Sequence, residues 1–424
     1  MARLLPLRGV RFAADHVQFG SVLAPPYDVI SSAQRERLYR RDLRNIVRID
    51  YGQPCEGDVP GKDDVYTRAA THLASWRSLG ILGDDDRPGF DVVAHDFATG
   101  GGESRRRLGL IGGVPALPWA ESEVRPHERT LRGPKEDRLA LMRTTRMQTS
   151  PVWMLWDRAP GLRRRLEELA ATPPLLDGRF DGEAGSERVH VWHISDEAGM
   201  AEIAGLLAPA SLFIADGHHR FETAAAYAAE RRDAGDTADA ASQFTLAYLS
   251  AADDPALVVL PIHRIVNPMA GLPTSREDLL RRLGDAWSSE PVDDPVAALA
   301  GLGARRAAEH TFVVIAPDGA AVLHRPRGSV ASPRQTLDVV VLQEEVIRRC
   351  GIGDEALREG ALSYARDPAE AVAAVREGRA GLAFLTCPCT SAQILAVAGA
   401  AETMPQKSTY FYPKVPTGLV LSPL

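Results

Sequence analysis

The stretch Ser211–Ala234, SLFIADGHHRFETAAAYAAERRDA, decides the fold class. Leu212-Phe213-Ile214-Ala215 is an apolar run with the length and composition of a buried strand. Asp216-Gly217 is a turn pair that ends it, and helical periodicity follows. Phe221, Ala224, Ala225 and Ala228 fall on one stripe, while Glu222, Glu230, Arg231 and Arg232 lie mostly elsewhere. A stripe of alanines lets a helix approach the sheet it covers very closely. Strand, glycine turn and helix start together make an anion site in outline. Backbone N–H groups point outward there, the dipole favours negative charge, and Arg220 can fork onto a phosphate. Such turns are also ordinary scaffolding, and paired histidines are often only polar surface. His-His-Arg directly after Asp-Gly nevertheless has a clear physical use.

Working outward, 424 residues suggest two or three folding units. The balance of 45% hydrophobic and 25% charged residues is that of an ordinary globular chain. A net charge of −7 argues against general nucleic-acid binding, which needs a basic surface. No apolar run approaches a membrane span, and the opening MARLLPLRGVRFAADH is too short and interrupted for a signal peptide, so a cytosolic protein is expected. Cys55, Cys350, Cys387 and Cys389 read as reduced, mostly buried thiols. The Cys387-Pro388-Cys389 spacing with no matching Cys or His pair argues against structural zinc. There are four lysines (Lys62, Lys135, Lys407, Lys414) against 45 arginines, so the remaining lysines are enriched for places that need a compact or titratable amine.

The pattern is α/β, of the mixed α+β kind, with mixed sheets and helices. Four segments are expected: an N-terminal α/β segment at 1–160, a central one at 190–267, a smaller α+β unit at 268–330, and a C-terminal segment at 331–424 that packs back on the core. Ile46–Tyr51, Phe90–Phe97 and Ser150–Trp156 read as strands and Tyr66–Leu79 as a helix. The Gly/Pro-containing excursion at 172–187 reads as a connection between units. Gln243–Ser250 and Leu257–Pro261 read as adjacent strands, with His263 and Arg264 just beyond the second, where α/β sheets place ligand groups. Ala24-Pro25-Pro26 rigidifies the approach to Tyr27 and Asp28, which fits a pocket rim or an ordinary buried turn equally well. Val124–Met147 is dense in charge: Arg125, His127, Glu128, Arg129, Lys135, Glu136, Asp137 and Arg138. Pro126 and Pro134 break it, so a loop bearing His127, Glu128 and Lys135 can supply a general base and cations. In the tail, Lys407 beside Ser408 and Thr409 can bind oxyanions.

Asp216-Gly217-His218-His219-Arg220 with Glu222, Thr223 and Ala224 resembles the signature of a bacterial and archaeal family known as the domain of unknown function numbered 1015. APPYDVI (24–30), NIVRIDYG (45–52), PHERT (126–130), KEDR (135–138), SPVWML (150–155), LPIHRIV (260–266) and QKSTYFYPKVPTGLV (406–420) resemble it too, over nearly the whole chain. That family implies no established activity. The DGHHR turn is also similar to the phosphate-binding strand–turn–helix of the ParB/sulfiredoxin-like fold, which includes nucleotide-binding partition proteins and an ADP-dependent free serine kinase. This second resemblance implies nucleotide phosphates held at a Gly-x-x-Arg turn.

The expected function is small-molecule phosphate handling, a kinase-like phosphotransfer between a nucleotide, ATP or ADP with Mg²⁺, and serine or a related amino acid. Gly217 and Arg220 hold phosphate in this reading, His218 or His219 acts as acid/base, and Asp216 orients a histidine or binds Mg²⁺. Glu128 is the next candidate base. Lys135 and Lys407 neutralise developing charge, and His127, Tyr27, Asp28 and His263 line the same pocket. The alternative is a non-catalytic nucleotide or anion sensor. A metal-assisted hydrolase using His218, His219 and Asp216 ranks lower, because adjacent helical side chains diverge by about 100°. A Walker-type NTPase is disfavoured, since the chain has no P-loop.

Overall fold

The computed structural model describes residues 2–424 except Arg129, Leu131 and Thr274; Arg129 of the charged stretch therefore lies outside the described residues. Two compact units make up the chain. The first takes in the residues up to Pro126, Thr130–Val258 and the tail from Tyr412; the second takes in Val259–Phe411 with His127 and Glu128.

The first unit is built on a mixed eight-stranded sheet. From one edge its order is Val124–Arg125, Ser211–Asp216, Val152–Asp157, Phe244–Ala251, Ser104–Pro115, Phe90–Ala98, Gly185–Ile194 and Leu176–Gly182. The strands with near-continuous apolar sequence, VWMLWD and FTLAYLSA, are central and almost wholly buried. The edge strand Leu176–Gly182 alternates buried and exposed residues, as a half-solvated edge should. The helix His218–Asp233 follows Ser211–Asp216 after one residue, and its stripe of Phe221, Ala224, Ala225 and Ala228 is buried. The helix Val65–Ser78 starts on a capping box between Asp64 and Thr67 and buries Ala69, Leu73 and Trp76. The tail is bound into this unit by bridges from Thr417 to Ala24 and from Leu421 to Val10, and by Ser422–Pro423 pairing with Met147–Gln148.

The second unit carries an antiparallel six-stranded sheet in the order Ser288–Val292, Gly319–Pro326, Glu309–Ala316, Leu382–Leu385, His263–Val266 and Leu362–Ala365. Strands from 268–330 and from 331–411 share it. Apolar clusters cover both faces, one around Phe312, Leu342 and Phe384 and the other around Val313, Ala371 and Leu385.

Several local expectations are corrected. Ile46–Tyr51 is not a strand: Val47–Asp50 is a helical turn, started by Asn45, whose side chain accepts from the Val47 N–H and donates to the Ser21 and Leu23 carbonyls. The excursion at 172–187 is not a connection between units; it forms most of a hairpin, Leu176–Gly182 with Gly185–Ile194, at the sheet edge. Val258–Leu260 does not neighbour Phe244–Ala251, whose partners are Ser104–Pro115 and Val152–Asp157. Pro134 does not break its stretch but stands in the first turn of the helix Arg132–Thr145, where a missing N–H costs nothing, so Lys135 lies on a helix. Cys55 is exposed rather than buried. Among the described residues no helix is long and apolar enough to cross a membrane.

The hairpin's seat gives a test of the packing. Gly20 lies so close to the edge strand that a Cβ there would sit 1.9 Å from the Arg179 carbonyl oxygen. Gly20→Ala is expected to cost about 1–3 kcal/mol or more in urea denaturation. Gly101→Ala, with nothing within 4 Å of the new methyl, should change stability by less than about 0.5 kcal/mol.

Candidate functional site

The strand Ser211–Asp216 loses register against Val152–Asp157 between Ile214 and Asp216, a bulge immediately before the turn. Gly217 then takes φ +94°, a left-handed conformation natural to glycine, and begins the helix without a side-chain cap. A side chain at Gly217 would also press on the Arg220 guanidinium, 3.0 Å from the ideal Cβ position.

Charges of both signs meet at this turn. Lys414 Nζ donates to Asp28 Oδ2 and to Asp216 Oδ1, each at 2.6 Å. The other Asp216 oxygen accepts from Arg220 Nη2. Arg220 Nη1 donates to Ser150 Oγ at 2.8 Å and to the Pro151 carbonyl, and Thr417 Oγ1 is 3.1 Å from Ser150 Oγ. The Lys414 side chain is 6% exposed. Burial pulls its pKa down, but Asp216 and Asp28 more than reverse this and hold the ammonium above the usual lysine range.

A second cluster adjoins the first. Arg138 Nη1 donates to the Asp50 carbonyl at 2.6 Å, Arg138 Nε to Asp137 Oδ2 at 2.8 Å, and the Tyr66 hydroxyl to Asp137 Oδ1 at 2.7 Å. Thr149 Oγ1 donates to Asp50 Oδ1 at 2.6 Å. The Arg138 guanidinium lies 4.1 Å from the Tyr27 ring centroid. Burial pushes the Tyr27 hydroxyl up to about 12 against the opposing pull of Arg138. Asp50, Arg138, Thr149, Ser150 and Arg220 line a cavity of about 30 Å³, room for one water. A third group centres on Glu222, which accepts from Trp119 Nε1 and Lys135 Nζ at 2.6 Å and from Thr130 Oγ1 at 2.7 Å. Burial pushes Glu222 up, and these donors overcome it and lower the carboxyl below its ordinary range.

The first unit thus holds Tyr27, Asp28, Lys135, Asp216, Gly217, His218, His219 and Arg220. His218 is buried and His219 half-buried in the first turn of the helix. His127, Glu128, His263 and Lys407 belong to the second unit. There His127 Nε2 is 2.9 Å from Thr409 Oγ1, Glu128 Oε1 accepts from the Ser408 N–H at 3.2 Å, and Lys407 is exposed. His263 and Arg264 follow the strand Val258–Leu260 as expected, but they begin a strand of their own, His263–Val266, and are fully buried in it. The sequence reading missed Asp50, Arg138, Thr149, Ser150 and Lys414 as members of the cluster. The scarcity of lysine was the signal for Lys414, but the reading placed the weight on Lys407.

Asp28 and Asp216 are the carboxylates a divalent ion would need. Lys414 Nζ already stands 2.6 Å from an oxygen of each, so the pair does not fit a metal. Among the described residues no group of three or more His, Cys, Asp or Glu side chains is arranged to hold one.

The chain belongs to the protein family of unknown function DUF1015, which it matches over residues 4–340. No curated protein matches it. Among solved structures it is similar to a conserved hypothetical protein from Pyrococcus furiosus, at 14% identity over 71% of this chain and 92% of that one, with a TM-score of 0.35. It is also similar to a free serine kinase variant in complex with AMP, at 12% identity over 70% and 89%, TM-score 0.36. SbnI with a C-terminal truncation from Staphylococcus aureus matches at 11% identity over 74% and 87%, TM-score 0.36. At such scores these likenesses carry no argument about the site.

Two measurements test the reading of these groups. Lys414→Met leaves Asp28 and Asp216 facing each other without their cation, and should lower stability by about 3–5 kcal/mol in chemical denaturation. His263 is held neutral, its pKa lowered by burial and then by Arg264 to about 4. Its folded value lies below its unfolded one, so its contribution is present above about pH 6.5 and is lost as pH falls toward 4. Between pH 7.5 and 4.5 the wild type should lose about 2–3 kcal/mol more than His263→Asn, whose amide oxygen can still accept from the Thr386 N–H.

Proposed function

We propose that this protein handles the phosphoryl group of a small molecule at the start of the His218–Asp233 helix. In this reading it is a kinase-like phosphotransferase that works with ATP or ADP on the hydroxyl of serine or a related amino acid. The observation that carries the proposal is a gathering of two cations, Lys414 and Arg220, with two carboxylates, Asp28 and Asp216, beside a 16-residue helix whose N-terminus has no side-chain cap. The N–H groups of a helix start and the helix dipole favour negative charge there. His218 and His219 stand in the first turn, where an imidazole can pass a proton to or from a phosphoryl oxygen. Asp28 is the more exposed carboxylate and is suited to accept the proton of an incoming hydroxyl. Arg220 is a positioning residue in this scheme: its hydrogen bonds fix Asp216 against Ser150 and the Pro151 carbonyl. No step is routed through a metal.

Closure of the charge network favours a second reading, a nucleotide or anion sensor that binds without turnover. Each of the four charges already has an opposite partner. Melting of the full chain with ATP, ADP, L-serine and phosphoserine separates the two, since a ligand at 100 times its Kd adds about 2.7 kcal/mol. A transferase should be stabilised by nucleotide and form phosphoserine, and Asp28→Asn should slow that turnover by about 10²–10⁴-fold with nucleotide affinity kept. Stabilisation without turnover identifies a sensor. A folded protein indifferent to every nucleotide removes both readings.

A further inference from the structure

Among the described residues seven arginines grip a carboxylate with the same edge of the guanidinium, the Nε and Nη2 N–H groups; two of them are Arg44 on Asp42 and Arg282 on Asp278. The other five are Arg11 on Asp85, Arg106 on Asp96, Arg143 on Glu230, Arg188 on Asp177 and Arg231 on Asp236. Arg264, in the second unit, presents that same edge with neither nitrogen hydrogen-bonded to any described residue. Its Nη1 turns back onto the Ile262 carbonyl, which fixes the plane of the group and leaves Nε and Nη2 directed together to one side.

The surroundings make this costly. Arg264 is fully buried on the strand His263–Val266, paired across the ladder with Tyr364 on one side and Phe384 on the other. By strand alternation it shares a face with Val266, Leu362, Leu382 and Phe384, all members of one apolar cluster. His263 faces the opposite side and takes no part. The Tyr364 ring centroid is 5.6 Å from the guanidinium carbon. Burial is the largest influence on Arg264 and depresses its pKa; Tyr364, Cys389 and Glu128 act the other way without reversing it. Burial pushes the Cys389 thiol up to about 12 and raises Tyr364 as well, so neither is negative at neutral pH. Glu128, the carboxylate that acts on Arg264, takes no hydrogen bond from its Nε or Nη2. A guanidinium does not discharge by losing its proton, and an ionised side chain in an apolar interior demands a paired anion.

We propose that Arg264 Nε and Nη2 form a binding site in the second unit for a small oxyanion, a carboxylate or phosphoryl group, held bidentately. Entry is at Tyr364, which is 39% exposed on the edge strand of the sheet. The site is independent of the charge cluster at the helix His218–Asp233.

The test melts the full chain in sodium phosphate, and separately in sodium acetate, against sodium chloride at matched ionic strength. The wild type should gain about 2 °C or more in a saturable response to one or both oxyanions, and which of them acts distinguishes phosphoryl from carboxylate recognition. Arg264→Met, similar in length and uncharged, should abolish the response and melt no lower than the wild type in chloride, because the unpaired charge is gone. Arg220→Lys in the first unit should keep the response. No saturable response in the wild type overturns the proposal, as does a full response in Arg264→Met. Should Arg264→Met fail to fold, the Arg264 Nε–H resonance of the wild type decides during a phosphate or acetate titration. A saturable downfield shift with either supports the site, and an unmoved resonance with both overturns it.

Discussion

A lysine held away from water between Asp28 and Asp216 is the interaction on which the first unit turns. Lys414 is 386 residues from Asp28 and 198 from Asp216 in sequence. The three groups bring together a proline-stiffened N-terminal loop, the end of a sheet strand and the tail of the chain. A buried ion triad of this kind is a poor source of net stability, because desolvation consumes most of the attraction. Its effect is on geometry. Any slip of the tail would strand a charge, so the tail has one acceptable seat, and the backbone bridges at Thr417 and Leu421 continue what Lys414 begins.

The same constraint explains the form of the turn. Asp216 must aim one oxygen at Lys414 and the other at Arg220, and the bulge before it supplies that aim. Arg220 must fold back beneath Gly217, and a side chain on Gly217 would obstruct it. The alanine stripe then holds the helix close to the sheet. Each requirement passes to the next residue along, and Asp-Gly-His-His-Arg is the sequence in which all are met together.

That short segment was legible because its causes are local: an apolar run, a turn pair and a 3.6-residue period. The buried strands around Phe90, Trp153 and Phe244 were legible for the same reason. Ile46–Tyr51 was not, because alternating apolar residues look like a strand while the deciding contact, Asn45 with the Ser21 and Leu23 carbonyls, lies more than twenty residues away. The hairpin at 172–187 was hidden by glycine and proline, which mark turns and edge strands alike. In the charged cluster, Asp28, Asp216 and Arg220 carried a sequence signal. Asp50, Thr149 and Ser150 did not, since their part depends on pairings that no local period encodes.

The buried arginines show how this chain treats unavoidable charge. Arg107 is as deeply buried as Arg264 and also touches no carboxylate directly. It is surrounded by substitutes: the Pro413 carbonyl at 2.9 Å, the Tyr412 carbonyl at 3.3 Å, His95 Nδ1 at 3.1 Å and the Trp153 ring face at 4.0 Å. Behind His95, Glu187 accepts at 2.6 Å and supplies the counter-charge one step removed. Arg138 likewise has Asp50, Asp137 and the face of Tyr27. Arg264 has a single carbonyl and one ring, on an otherwise apolar face. Where burial of an arginine serves the scaffold, this protein surrounds the guanidinium with acceptors on several sides. The bareness of Arg264 on its bidentate edge is a departure from that practice, and scaffolding gives no reason for a charge there.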